Sequence, residues 1–392
     1  MSEPAASGLE VDALLNQAQA QAGLDDFGAD TYAEGLTAYC ESVNADARLS
    51  EVGAVAIPGT VVAALVNRLR VVDWLRRHPE VANEPIDAPI IVIGMFRAGT
   101  TFLSHVLDQD LGNRALLRWE ANDSVPPSSP ADHRSGPRVD AAQESGDMLE
   151  MINPRMKAIH HEDADGPTEC IAVMSQDFIS LSWEAITNVP GYNRWLLGTD
   201  HRSAYEYHRS VLQILQSGGV RGRWTLKSPH HAIALEALTA VYPDARLVIL
   251  HRDPVVLSAS VCSLISCLSG TFSDADHTAY IADHWTMMLE ESVRRVDAFR
   301  DAHPEHPIVD VMYADLVQDT VRTVADIYRD CGTELSDPAR TAMTAYAESH
   351  PKGRFGAHGY DLTEYGLDAD ALRERFADYV ARYDIPTERD AT

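Results

Sequence analysis

The sequence predicts an α/β fold, a P-loop-like doubly wound parallel sheet flanked by helices. Three observations carry this reading. Short apolar runs alternate with helical stretches from about residue 86 onward, the rhythm of repeated strand–helix–strand units. The runs are continuous rather than alternating, as strands covered on both faces require. The stretch "PIIVIGMFRAGTTFLSHVLD" (89–108) then sets a strand, a glycine turn and a helix in the order of a phosphate-binding loop. The expected organisation is a helical N-terminal segment (1–85) and an α/β domain (86–392) with a helical insertion at about 123–218.

The elements follow in order. "VDALLNQAQAQAGL" (11–24) and "TVVAALVNRLRVVDWLRRHPE" (60–80) space apolar residues three and four apart, and His78-Pro79 ends the second helix. "ANEPIDAP" links to a strand at Ile90–Ile93. "DSVPPSSPADHRSGPRV" (123–139) is rich in Pro and Ser and reads as irregular. Residues 140–218 read as mainly helical. "RWTLK" (223–227) is a short strand, followed by a helix through Ala232–Val241 and a turn at Tyr242-Pro243-Asp244. "ARLVILHR" (245–252) is the next strand, with a helix from Pro254 to about Leu268. A long helix spans roughly 279–302, "HPIVDVMYADLV" holds a strand, and a helix lies near 318–331.

The chain carries 59 acidic and 32 basic residues, a formal charge of −27. Such a surface repels nucleic acid and anionic lipid, so neither is an expected partner. Apolar stretches such as Ala88–Gly94 are too short to span a bilayer. The N-terminus "MSEPAASGLEVDALL" lacks the form of a secretion signal. Five scattered cysteines without a CxxC pair fit a reduced, cytoplasmic protein. A homo-oligomer is compatible with all of this.

Against that acidic field, three segments concentrate cations and backbone donors. In the first, Gly94 and Gly99 shape a turn and Arg97, Ala98, Thr100 and Thr101 aim N–H, hydroxyl and guanidinium donors at one point. The lysine of the Walker signature is absent, since Thr100 follows Gly99, which disfavours ATP chemistry. In the second, Arg252 ends a strand at the carboxyl edge where doubly wound sheets bind ligands, and Ser260 lies two helical turns on. Arg252 is equally able to pair with Asp253. In the third, Lys352, Gly353 and Arg354 form a basic loop able to close over an anion. Residues alone leave three readings open: a transferase, a nucleotide-binding regulatory protein without turnover, or a small-molecule kinase with an aberrant loop.

Together, and in this order over about residues 89–360, these segments resemble the sulfotransferases that use 3′-phosphoadenosine 5′-phosphosulfate (PAPS). "LKSPHH…YPDARLVILHRDP" is similar to a bacterial branch and to tyrosylprotein sulfotransferases. The resemblance implies that Arg97–Thr101 hold the 5′-phosphosulfate, Arg252 and Ser260 the 3′-phosphate, and Lys352–Arg354 close the cofactor loop. It also implies that Lys227, with Arg97, contacts the bridging oxygen. The expected product is adenosine 3′,5′-bisphosphate. For the base it offers two candidates: Glu120, desolvated beside Trp119, is favoured over His230, whose ordinary pKa also suits the task.

The expected acceptor is a small apolar or phenolic hydroxyl compound. The aromatic residues from Trp183 to Tyr207 are candidates for its pocket, though core packing accounts for them better. "HHEDADGPTEC" (160–170) matches no zinc or EF-hand spacing, so no metal is expected and Glu169 reads as acceptor-site wall.

Overall fold

In the computed structural model, residues 8–159, 162–350 and 361–388 are described. Five strands form one sheet: β1 (Ile90–Gly94), β2 (Asn113–Ala115), β3 (Arg223–Lys227), β4 (Arg246–His251) and β5 (Ile308–Met312). Their order is β2-β3-β1-β4-β5, and every pair is parallel. All of β1 is buried, which is why it reads as an unbroken apolar run. The chain leaves β1 toward β2 and β3 on one side and returns to β4 on the other. A crevice therefore opens at the carboxyl end of β1, between β3 and β4.

The helices expected after the strands are present at Thr100–Leu107, Leu235–Val241, Pro254–Ser269 and Thr320–Asp330, with Thr278–Ala302 as the long one. The insertion contributes helices at Pro137–Ile152, Pro190–Gly198 and Arg202–Ser217, among shorter ones. Strand β2 escapes a hydropathy reading because it is Asn-Arg-Ala. It is buried because the Arg114 guanidinium lies over the Trp224 ring, 4.3 Å from its centroid, and pairs with Glu120.

The N-terminal helices Val11–Ala22, Thr31–Ser42 and Glu51–Arg77 share one hydrophobic core with the sheet, through residues such as Leu14, Leu36, Leu65, Ile91 and Leu247. Glu51–Arg77 is long and apolar enough to cross a membrane by length and composition, which corrects the expectation that no such stretch exists. Half of its apolar window is buried in the protein. Its buried Arg68 binds Asp177 of the insertion (Nη1–Oδ1 2.8 Å), donates to the carbonyls of Phe27 (2.9 Å) and Ala29 (2.8 Å), and lies over the rings of Tyr32 and Tyr207. Asp177 also accepts from Ser203 Oγ at 2.7 Å.

That cluster ties the N-terminal helices to the insertion, and cutting it strands a buried charge. Arg68→Ala is expected to lower the unfolding free energy by about 3–5 kcal/mol, measured by urea denaturation.

Candidate active site

The loop after β1 is shaped by two glycines. A Cβ on Gly94 would meet Thr100 Cγ2 at 2.7 Å, and one on Gly99 would meet the Tyr313 ring at 2.7 Å. Gly99 also has φ +98°, a left-handed conformation that side chains resist. Arg97 adopts φ +71° without being glycine, a conformation that surrounding contacts must hold. Its Nε donates to Ser260 Oγ at 3.0 Å and its Nη1 to the Ile159 carbonyl at 3.0 Å.

Parallel pairing brings the second and third cations to the same rim. Val92 of β1 faces Lys227 of β3, and Gly94 faces Leu250 of β4. Lys227 is buried; its Nζ stands 3.1 Å from Glu169 Oε1 and 3.4 Å from Thr101 Oγ1. Arg252 donates through Nη1 to the Arg97 carbonyl at 2.8 Å and lies 4.0 Å from the centre of the Tyr313 ring. Asp253 is not its partner: that carboxylate caps the next helix at Val255 N (2.9 Å), while Arg252 forks onto Glu388 (2.7 and 3.0 Å).

Beside these groups lies a cleft of about 330 Å³. Arg97, Gly99, Thr100, Thr101, Glu169, Arg252 and Tyr313 form its polar end, and Phe96, Phe102, Ile171, Ile186, Leu264 and Leu268 its apolar wall. Ala98 is buried in the turn, its N–H bonded to Met95 O at 3.1 Å. Arg97, Thr100, Thr101, Lys227, Arg252 and Ser260 thus gather at one rim. Lys352, Gly353 and Arg354 lie outside the described residues, as do His160 and His161. Among the described residues no cluster of three or more metal-ligating side chains forms.

Neither candidate base reaches the cleft. Glu120 is fully buried and held by Arg114 through two hydrogen bonds (2.8 and 3.0 Å), with Ser128 Oγ at 3.0 Å and His133 Nε2 at 3.5 Å. Burial would raise its pKa, but the Arg114 charge and the His133 contact outweigh it and hold the carboxyl at about 2. His230 is sealed in as well. Leu181 N–H donates to its Nδ1 (3.3 Å), so the proton sits on Nε2, which meets His201 Nδ1 at 2.9 Å; His201 Nε2 in turn reaches the Leu196 carbonyl at 2.9 Å. Burial, then the neighbouring His201 and His231, keeps His230 neutral. Both ring nitrogens are taken, so the imidazole has no free lone pair to offer.

The aromatic stretch is core, as packing favours. Trp183 stacks on Phe178 with centroids 5.0 Å apart, and Tyr192, Tyr205 and Tyr207 are hydrogen-bonded inside. The same segment instead offers Ser182, Ala185 and Ile186 to the cleft. The carboxylate that does meet Lys227 is Glu169, brought there because Cys170 N–H binds the Lys227 carbonyl (2.9 Å) and Pro167 bridges Leu117. Glu388 and Tyr313 carry no sequence signal.

Comparison with known proteins agrees with this geometry. Residues 89–337 match the model of the sulfotransferase family. The structure of sulfotransferase STF9 from Mycobacterium avium superposes with a TM-score of 0.90 at 33% identity, covering 98% of this chain and 100% of that one. STF1 from Mycobacterium tuberculosis gives 0.84 at 34% identity, over 94% and 99%. The omega-hydroxy-beta-dihydromenaquinone-9 sulfotransferase Stf3 of Mycobacterium tuberculosis is 22% identical over 288 residues, 71% of this chain and 70% of the relative. The chain belongs to the sulfotransferase family and is a transferase enzyme with that family's P-loop-like fold.

Proposed function

We propose that the protein transfers the sulfuryl group of PAPS to the hydroxyl of a small acceptor with an apolar body. The observation that carries this reading is the buried Lys227 ammonium, standing between Thr101 of the loop and the Glu169 carboxylate. A cation at that point neutralises the leaving oxygen, and a carboxylate beside it receives the acceptor proton. The acceptor oxygen forms the new S–O bond as the bond from sulfur to the bridging phosphate oxygen breaks. The electron pair leaves on the bisphosphate, opposite Lys227, and the proton passes to Glu169. As in phosphoryl transfer, the protein's share is positioning and charge.

Glu169 takes the role first expected of Glu120 or His230, because it alone of the three lines the cleft. Arg252 and Ser260 serve the 3′-phosphate, and the helix start at Thr100 and Thr101 serves the 5′-phosphosulfate. Arg97, bonded to Ser260, belongs with the 3′-phosphate group rather than the bridging oxygen. The wall of Phe96, Phe102, Ile186, Leu264 and Leu268 suits an acceptor with an apolar tail. The menaquinone-derived acceptor in the name of the relative Stf3 is of that class. The five cysteines are free and buried, consistent with a reduced cytoplasmic setting.

Lys227→Ala and Glu169→Gln are each expected to lower kcat by about 10²-fold or more while leaving adenosine 3′,5′-bisphosphate binding in place. Mass-spectrometric detection of sulfated product, alongside calorimetric titration, checks both parts. Binding of ATP with no response to the bisphosphate contradicts the proposal.

Glu120→Gln is expected to act on stability, not turnover. It leaves Arg114 buried without a counter-charge, for a loss of about 3 kcal/mol at neutral pH. The carboxyl sits at about 2 when folded, below its ordinary 4.5, so its contribution is full above pH 4.5 and fades as pH falls toward 2. Urea denaturation of wild type and variant across that range should show the gap closing.

A further inference from the structure

The arginine assigned to the 3′-phosphate already holds an anion. Glu388 places both carboxylate oxygens on the Arg252 fork, Oε1 at 2.7 Å from Nε and Oε2 at 3.0 Å from Nη2. Its own N–H donates to Asp253 Oδ2 at 2.9 Å. Arg252 is fixed on its other sides by the Arg97 carbonyl and the Tyr313 ring, so the guanidinium plane is set before any ligand arrives. A phosphate uses the same two-pronged geometry, and one edge of one arginine serves only one such anion at a time.

Glu388 follows a helix that is itself anchored. The preceding helix Ala377–Tyr383 is pinned to Thr278–Ala302, with Tyr383 Oη 2.5 Å from Asp297 and Arg382 2.9 Å from Asp301. Asp384 ends that helix at φ +51°, and Ile385 is buried with its N–H on the Val380 carbonyl (3.1 Å). Release of Arg252 requires the segment around Glu388 to move past the buried Ile385 and its N–H to leave Asp253.

We propose that Glu388 is a resident stand-in for the 3′-phosphate, an internal competitor that occupies Arg252 between turnovers and is displaced by the nucleotide. The proposal rests on the reading of Arg252 as the 3′-phosphate ligand. Before the nucleotide binds, the carboxylate gives the desolvated guanidinium a counter-charge. Donor and product, both bearing a 3′-phosphate, meet the same competitor, so the carboxylate weakens product retention as it re-forms its pair.

Calorimetric titration of adenosine 3′,5′-bisphosphate and of adenosine 5′-phosphate against wild type, Glu388→Gln, Glu388→Asp and Arg252→Ala tests this. Glu388→Gln is expected to bind the bisphosphate about tenfold more tightly and adenosine 5′-phosphate unchanged. Glu388→Asp keeps the charge but shortens its reach and should fall between. Arg252→Ala should weaken the bisphosphate by about tenfold or more. If Arg252→Ala weakens the bisphosphate while Glu388→Gln leaves it unchanged or weaker, Glu388 is a structural clamp and the competitor is refuted. If both ligands tighten equally in Glu388→Gln, the effect is general loosening and the proposal also fails. If Arg252→Ala changes nothing, the 3′-phosphate assignment itself is lost.

Discussion

The site depends on the parallel registration of β1 with its two neighbours. Val92 opposite Lys227 and Gly94 opposite Leu250 bring the ends of three strands to one level. The glycine loop and the arginine thereby line one cleft, and the lysine touches its Thr101 and Glu169, although β1 and β3 lie more than a hundred residues apart in the chain. A slip of one residue in β3 would turn Lys227 to the opposite face of the sheet. Every residue of β1 is buried, so the strand at the centre of the core is also the one that carries the glycine loop.

A chain of net charge −27 must build its anion site locally. It does so by pairing each buried cation with a carboxylate, and the exposure of that carboxylate separates two kinds of pair. The side chains of Asp177 and Glu120 are 0% exposed, and their pairs with Arg68 and Arg114 are permanent parts of the core. Those of Glu169 and Glu388, facing Lys227 and Arg252, are 15% and 21% exposed. Glu169 lines the cleft, and Glu388 sits on Arg252, which lines it. Each such pair gives a desolvated cation a counter-charge.

Much of this was legible in the sequence for a physical reason: buried parallel strands announce themselves as apolar runs, and their carboxyl ends are where such sheets bind ligands. Arg97, Lys227 and Arg252 all follow from that rule. The proposed base did not follow, because spacing along the chain does not say which cation a carboxylate meets. Glu120 and Glu169 are both near the right sheet edge; the short β2 strand turns the first onto Arg114, and the Cys170–Lys227 backbone bond brings the second to the lysine. His230 is close to Lys227 in sequence, yet the tight turn Pro229–Ile233 directs it into the core toward His201. Strand β2 and Glu388 were hidden for the same cause, a polar residue whose partner lies far along the chain.

One nucleotide is expected to span from the glycine loop to Arg252. A crystal structure with adenosine 3′,5′-bisphosphate tests it most directly. The 5′-phosphate is expected at the N–H groups of Thr100 and Thr101, the 3′-phosphate on Arg252 and Ser260, and Glu388 displaced. A bisphosphate bound elsewhere, with the loop and Arg252 both untouched, would contradict it.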